Sequence, residues 1–281
     1  MNDLFTYTDI LSLIIDLLDI RERHKLFYLN KSVHSFMLNH YFKYSMRMNK
    51  FPLSYLQKMS DLHTLILFYD TSIDDDFLKN LPKLRHLELV SNKKITDDGL
   101  KYIPHITNLN LWSNTNITDK GIQYISNVIN LNLYHNKHIT DLGLKYISDV
   151  TKLNLCCNEH ITDLGLQYIP NVTFLNLFSN ERITDLGLKY ISNITNLNLC
   201  VNEHITDLGL KYISFVTKLN LHWNKNITDD GLKYIPNVTN LNLYNNNKVT
   251  NAGLKCIPLV MKLALRNKFK ITGKCRKYIF L

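Results

Sequence analysis

Alanine is almost missing from these 281 residues, occurring only as Ala252 and Ala264. With plentiful Asn, Lys, Ile and Tyr, that is the mark of an AT-rich coding sequence and says nothing of function. Cysteine is scarce too: Cys156, Cys157, Cys200, Cys256 and Cys275, with no CxxC spacing and no even pairing. This points away from a disulfide framework or a cysteine-based metal site. No apolar run reaches the roughly 18 residues of a membrane span, and the N-terminus lacks a basic-then-apolar signal pattern. We therefore expect an intracellular protein, cytoplasmic or nuclear, with no membrane partner. Asn-x-Thr triplets such as Asn116-Ile117-Thr118 are then by-products of a repeat and not glycosylation sites. Of nine glycines, eight fall in one recurring position from Gly99 to Gly253, so no Gly-rich phosphate loop remains to be built.

What is present is a period. The segment Ile106 to Ile125 lands on itself when moved by 22 residues, and its Leu-x-Leu centre recurs ten times, from Leu65/Leu67 to Leu263/Leu265. A fixed interval of this length is the signature of a solenoid. In Leu109-Asn110-Leu111 apolar and polar residues alternate, as in a short strand with one buried face. Three residues on stands an asparagine column, Asn92 to Asn246, expected to be a buried ladder bonding the turning backbone of neighbouring repeats. Ile117-Thr118-Asp119-Lys120-Gly121-Ile122 opens with Thr-Asp as an N-cap and suits a turn or two of helix. Proline at 82, 104, 170, 236 and 258 then ends the helical half and turns the chain into the next strand. Strand plus short helix with Leu-x-x-Leu-x-Leu-x-x-Asn resembles a leucine-rich-repeat horseshoe.

Residues 1 to 48 do not follow the period. Ile10, Leu11, Ile14, Leu17 and Leu18 have helical spacing, Asp19-Ile20-Arg21-Glu22 breaks it, and Leu26, Leu29, Val33 and Phe36 resume it. This order of acidic and leucine-rich helix, Asp-containing turn and apolar run resembles an F-box. It departs at Tyr7-Thr8, where Leu-Pro is usual, and at Val33, where tryptophan is usual. Followed by Ile-Thr-Asp-x-Gly-Leu repeats, it is similar to the F-box/leucine-rich-repeat family. The resemblance implies an adaptor of an SCF-type ubiquitin ligase: a Skp-family linker docks on Ile10, Leu11, Ile14, Leu17, Leu29, Val33 and Phe36, and the repeats hold a target. The plainer alternative is an interaction scaffold whose first residues only cap the open end of the solenoid. Residues 51–60 read as half a repeat with no strand before it, a junction where the helical domain closes the first strand's edge.

The net charge of +9 (33 Lys and Arg against 24 Asp and Glu) raises nucleic-acid binding. Its placement answers that: Asp97 to Asp229 begin the helical halves and Lys101, Lys145, Lys189, Lys211, Lys233, Lys255 and Lys277 end them, complementing the helix dipole. No nucleic-acid partner is expected. The tyrosine column, Tyr102 to Tyr234, reads as packing between adjacent helices.

Columns that vary among repeats are free for recognition. Between the two leucines the residue is nearly always Asn, from Asn110 to Asn242, read as an amide ladder on the concave side. After the second leucine it changes each time, giving Trp112, Tyr134, Phe178, His222 and Tyr244 along a line of roughly 29 Å at about 4.8 Å per strand. Phe174 and Trp223 lie beside it, and Lys152 and Lys218 add a basic rim that favours an acidic or amide-rich target. These seven aromatic and histidine residues are the expected target site, a set suited to binding hot spots. Cys–His pairs across repeats, His135 with Cys157 and Cys200 with His222, have no third group to orient them, so we expect neither catalysis nor a cofactor nor a metal.

The expected architecture is therefore α/β. A small helical F-box-like domain (1–48) precedes a solenoid with a parallel concave sheet of about ten repeats (49–281).

Overall fold

The computed structural model describes residues 45–48, 62–68 and 73–264. The seven residues read as a linker surface, Ile10 to Phe36, lie outside that set, as does Cys275. Every strand of the described chain belongs to one parallel sheet whose order in space is its order in sequence. Its members are β1 (Ser45–Met48), β2 (Thr64–Phe68), β3 (His86–Val90), β4 (Asn108–Asn110), β5 (Asn130–Asn132), β6 (Lys152–Asn154), β7 (Phe174–Asn176), β8 (Asn196–Asn198), β9 (Lys218–Asn220), β10 (Asn240–Asn242) and β11 (Lys262–Ala264). From β2 onward each residue pairs with the one 22 further on, Leu109 with Leu131 and Leu131 with Leu153, so the period is the register. Between strands run one-turn helices: α1 (Asp75–Leu78), α2 (Asp97–Leu100), α3 (Asp119–Ile122), α4 (Asp141–Leu144), α5 (Asp163–Leu166), α6 (Asp185–Leu188), α7 (Asp207–Leu210), α8 (Asp229–Leu232) and α9 (Asn251–Leu254).

The sheet begins one strand earlier than expected. Ser45–Met48 pairs in parallel with β2, Met46 opposite Leu65 and Met48 opposite Leu67. Met-x-Met stands where later repeats have Leu-x-Leu, 19 residues ahead and not 22, which hides it from a search at fixed period. The edge of β2 is thus closed by a strand, where a helical domain was expected, and that strand falls inside residues 1–48.

The core is a single apolar column system. Leu109, Leu111, Ile117, Ile122, Ile125 and Val128 are buried, and so are their counterparts along the sheet. Beside it runs the asparagine column, also buried. Seven of its eight amides bond neighbouring backbone or each other's main chain: Asn158 Nδ2 donates to the Leu133 carbonyl (3.0 Å), and Asn180 Oδ1 accepts from the Asn158 N–H (3.1 Å). Asn136 is the exception, its buried amide lacking a protein partner.

The helical side has its own interlock. Each threonine caps its own helix; the Thr162 hydroxyl, for example, accepts from the Leu164 N–H. The Asp that follows reaches the next repeat. Asp163 accepts from the Thr184 N–H (2.8 Å) and hydroxyl (2.6 Å), and the same pair of bonds recurs from Asp75–Thr96 to Asp229–Thr250. The helix dipole alone would account for an acid at each helix start, but these contacts make the carboxylates clasps between repeats. The glycine column follows from the clasp. None of these glycines has positive φ, but a Cβ at Gly187 would fall 2.3 Å from Asp163 Oδ1.

The tyrosine column departs from expectation. Tyr124 and Tyr168 pack against the core, whereas Tyr102, Tyr146, Tyr190, Tyr212 and Tyr234 are exposed. The α-helical turn ends before the tyrosine in every repeat, and a short 3-10 turn carries Tyr124 and Tyr190 (Gln123–Ile125 and Lys189–Ile191), so no repeat offers a long helix face for the rings to slot between.

Gly187→Ala is expected to destabilise the chain by about 1–3 kcal/mol, the cost of overpacking. In an Asp163→Ala background the same change should cost clearly less, because the clashing carboxylate is gone. Urea unfolding of the double-mutant cycle measures this; equal costs in both backgrounds would refute the steric account of the column.

Candidate functional site

The strands β4 to β11 expose only their first and third residues on the concave face, since the central leucine points into the core. The third position is the Asn column from β4 to β10, replaced by Ala264 in β11. Each amide oxygen accepts from the N–H two residues on within its own repeat, as Asn110 does from Trp112 (3.1 Å) and Asn242 from Tyr244 (3.0 Å). This corrects the expected ladder: the oxygen is committed to its own chain because the turn after the strand leaves that N–H unpaired. The amide NH2 groups of Asn110, Asn132, Asn154, Asn176, Asn198, Asn220 and Asn242 are then the donors the face offers. The first position adds Lys152, Lys218 and Lys262. No acidic residue occupies either column from β4 to β11; Glu88, bonded to His86 (3.1 Å), marks the N-terminal limit.

The face is a shallow trough divided by one side chain. Phe174, 39% exposed, contributes to both of its depressions. One, of about 430 Å³, runs from His86 and Glu88 past Lys152; the other, of about 410 Å³, runs past Lys218 to Lys262.

The other expected target residues border this trough. Trp112, Tyr134, Phe178, His222 and Tyr244 each come after the strand has ended, in the turn, so they form an edge and not a floor. The edge has two aromatic groups. At one end Trp112 meets Tyr134 edge-on (centroids 5.4 Å) and Tyr134 meets His135 (4.4 Å); at the other His222 contacts Tyr244 (5.1 Å) and Trp223 (6.0 Å). Half-buried Phe178 stands between them, and the same column at Cys156 and Cys200 is buried. Trp112, Trp223 and Tyr244 remain 40–44% exposed, which marks them as contact groups and not core.

Backbone geometry holds this edge. The residue after each edge position has positive φ: Ser91, Ser113, His135, Cys157, Ser179, Val201, Trp223 and Asn245, at 56–64°. That turn aims the N–H at the next repeat's edge carbonyl, as Val201 N–H does at His222 (2.9 Å). Small and polar residues dominate this column, and that bias is the signal of the turn in the sequence. Val201 is the misfit, because a β-branched side chain crowds the left-handed backbone.

The two Cys–His pairs form no dyad, although His135 and Cys157 line one surface depression together. No hydrogen bond joins His135 to Cys157 or Cys200 to His222, and His222 Nε2 is buried with no protein partner. Burial pushes the Cys156 thiol well up, helped by its contact with Cys157 (Sγ–Sγ 3.3 Å), and pushes Cys200 up as well. Neither is an activated nucleophile. Among the described residues no group of three His, Cys, Asp or Glu side chains could hold a metal, and no helix is long and apolar enough to cross a membrane.

Residues 80–103, 102–126, 168–192 and 214–235 match the model of the Leucine Rich repeat. No curated protein matches the chain in sequence. Among solved structures it is similar to an internalin, InlF, of Listeria monocytogenes: 22% identity, TM-score 0.60, covering 79% of this chain and 72% of that one. A chain of the yeast Rad7–Elc1 complex shares 16% identity at TM-score 0.55, covering 70% and 60%. A chain of the TLR13–ssRNA13 complex shares 18% at TM-score 0.55, covering 79% of this chain and 38% of its own length. At these identities the likeness is one of fold.

Three outcomes check the site's chemistry. Val201→Asn should raise stability by about 1 kcal/mol in thermal unfolding, since Asn tolerates left-handed backbone. Alkylation followed by mass spectrometry should label half-exposed Cys157 and Cys256 before buried Cys156 and Cys200. Burial holds the His222 imidazole below the usual histidine range. The unfolded chain therefore takes up more protons as pH falls through about 6.5, and stability drops there until the folded ring also titrates. An NMR midpoint for His222 no lower than in the urea-unfolded chain would contradict this.

Proposed function

We propose that this leucine-rich-repeat solenoid is a protein-binding adaptor that holds a target in its concave trough and against the aromatic edge beside it. The observation that carries the reading is the pairing of an acid-free, donor-rich floor with exposed Trp112, Trp223 and Tyr244 on a rigid frame. Rigid aromatics supply contact area at little entropic cost, and the floor suits a surface rich in carboxylates or carbonyls. The named set is Trp112, Tyr134, Phe174, Phe178, His222, Trp223 and Tyr244. Phe174 acts from the floor and the rest from the edge.

The finer reading is the substrate-recognition subunit of an SCF-type ubiquitin ligase, with the F-box-like segment docking a Skp-family linker. Its support is the resemblance of residues 1–48 and the order of modules. The chain of the yeast Rad7–Elc1 complex adds a fold neighbour found in a two-protein assembly. One observation favours the plainer scaffold: β1 already covers the edge of β2, so part of residues 1–48 serves the solenoid itself.

Because β1 starts at Ser45, the two readings separate cleanly. The full-length chain should capture a Skp-family linker, and a chain starting at residue 45 should stay folded and lose it. Failure of the full chain to bind leaves the scaffold. For the target, Trp112→Ala should leave unfolding unchanged and weaken binding by about 1–3 kcal/mol. Phe178→Ala should weaken binding and also cost some stability, being half-buried. Lys145→Ala should do neither. Loss of binding from Lys145 with silent aromatics would place the target elsewhere.

A further inference from the structure

The helical side carries a feature that target binding in the trough does not use. The residue between Asp and Gly of the helical turn is Leu142 in α4, Leu164 in α5, Leu186 in α6 and Leu208 in α7. The side chains are 65%, 61%, 66% and 66% exposed. Because the repeats stack in register, the four form one continuous apolar stripe. Single exposed leucines are ordinary, but an aligned row of four marks an interaction surface.

The ends of the stripe identify its occupant. In the same column the repeat before Leu142 presents exposed Lys120, and the repeat after Leu208 presents exposed Asp230, which also pairs with Lys233 three residues on and keeps its second carboxylate oxygen for a partner. The column thus reads Lys, Leu, Leu, Leu, Leu, Asp, opposite charges capping an apolar run. A pattern of this kind is complementary to itself when reversed. We infer that two copies of this chain associate antiparallel through the stripe, about a twofold axis passing between Leu164 and Leu186. That axis sets Leu164 against Leu186 of the second copy, Leu142 against its Leu208, and Lys120 against its Asp230. Each contact then occurs twice, as an isologous interface requires.

The neighbouring lysines test the fit. Lys145 and Lys211 lie one turn beyond Leu142 and Leu208, and the axis brings Lys145 near Lys211 of the second copy. Both are exposed helix caps on long stems that can lie over the leucines and turn their charge outward. The trough lies on the opposite face of each copy and stays open, so the dimer presents two target sites.

Sedimentation of the full-length chain over a concentration series reads the proposal. The wild type should pass from monomer to dimer. Leu164→Asp with Leu186→Asp should remain monomeric with unchanged thermal unfolding, since neither side chain is in the core. Lys120→Asp and Asp230→Lys alone should each raise the dissociation constant, by about tenfold because two symmetric pairs are lost at once. The double swap should restore it. A wild type that stays monomeric, including one that takes up a foreign helix through these leucines, overturns the proposal. So does a dimer that survives the Leu→Asp changes, or a double swap that fails to rescue, which rules out the antiparallel pairing.

Discussion

Each repeat is completed by the next through one carboxylate. The Asp that follows the capping threonine accepts an N–H and a hydroxyl from the threonine one repeat on, with O···O distances of 2.5–2.6 Å along the chain. A half-buried carboxylate with two donors is among the stronger polar contacts a fold can make. It also dictates its surroundings. The space it fills forbids a side chain at the glycine column, and its grip on the cap fixes where each one-turn helix begins. So short a helix would not persist alone, since its nucleus costs more than its single turn returns. Packing of the apolar column and the clasp to the next repeat hold it.

On the other side of the core the same dependence is met by amides. Buried asparagines bond the turning backbone of adjacent repeats, and the positive-φ turn sends its N–H to the neighbour's carbonyl. Stability in such a stack is close to a sum of repeat and interface contributions. The varying positions can then change without cost to the frame. That is why the aromatic edge differs from repeat to repeat while Leu, Asn, Asp and Gly do not.

Most of the fold was legible because period 22 is also the pairing register, and because strand alternation and the Thr cap are local patterns. What escaped notice depends on contacts between repeats or on broken spacing. Met46 and Met48 form a strand out of phase with the rest. Asp163 looks like a helix-dipole residue until its threonine partner in the next repeat is seen. Asn110 looks like a ladder rung, yet its oxygen serves its own turn. For the site, identity was easier than position. The aromatic column was visible as the one that varies, but its place in the turn beside the trough depends on strands only three residues long. The leucine stripe depends on which side of a one-turn helix faces out, and four residues are too few to set a helical period.

The central claim is that the concave side holds the target. Hydrogen exchange on the protein with and without its captured target tests this most directly, since every turn along the edge reports separately. The account predicts added protection at the turns following β4, β5, β7, β9 and β10, with α4 to α7 unchanged on target binding. Protection confined to the one-turn helices, with the edge turns exchanging as in the free protein, would contradict it.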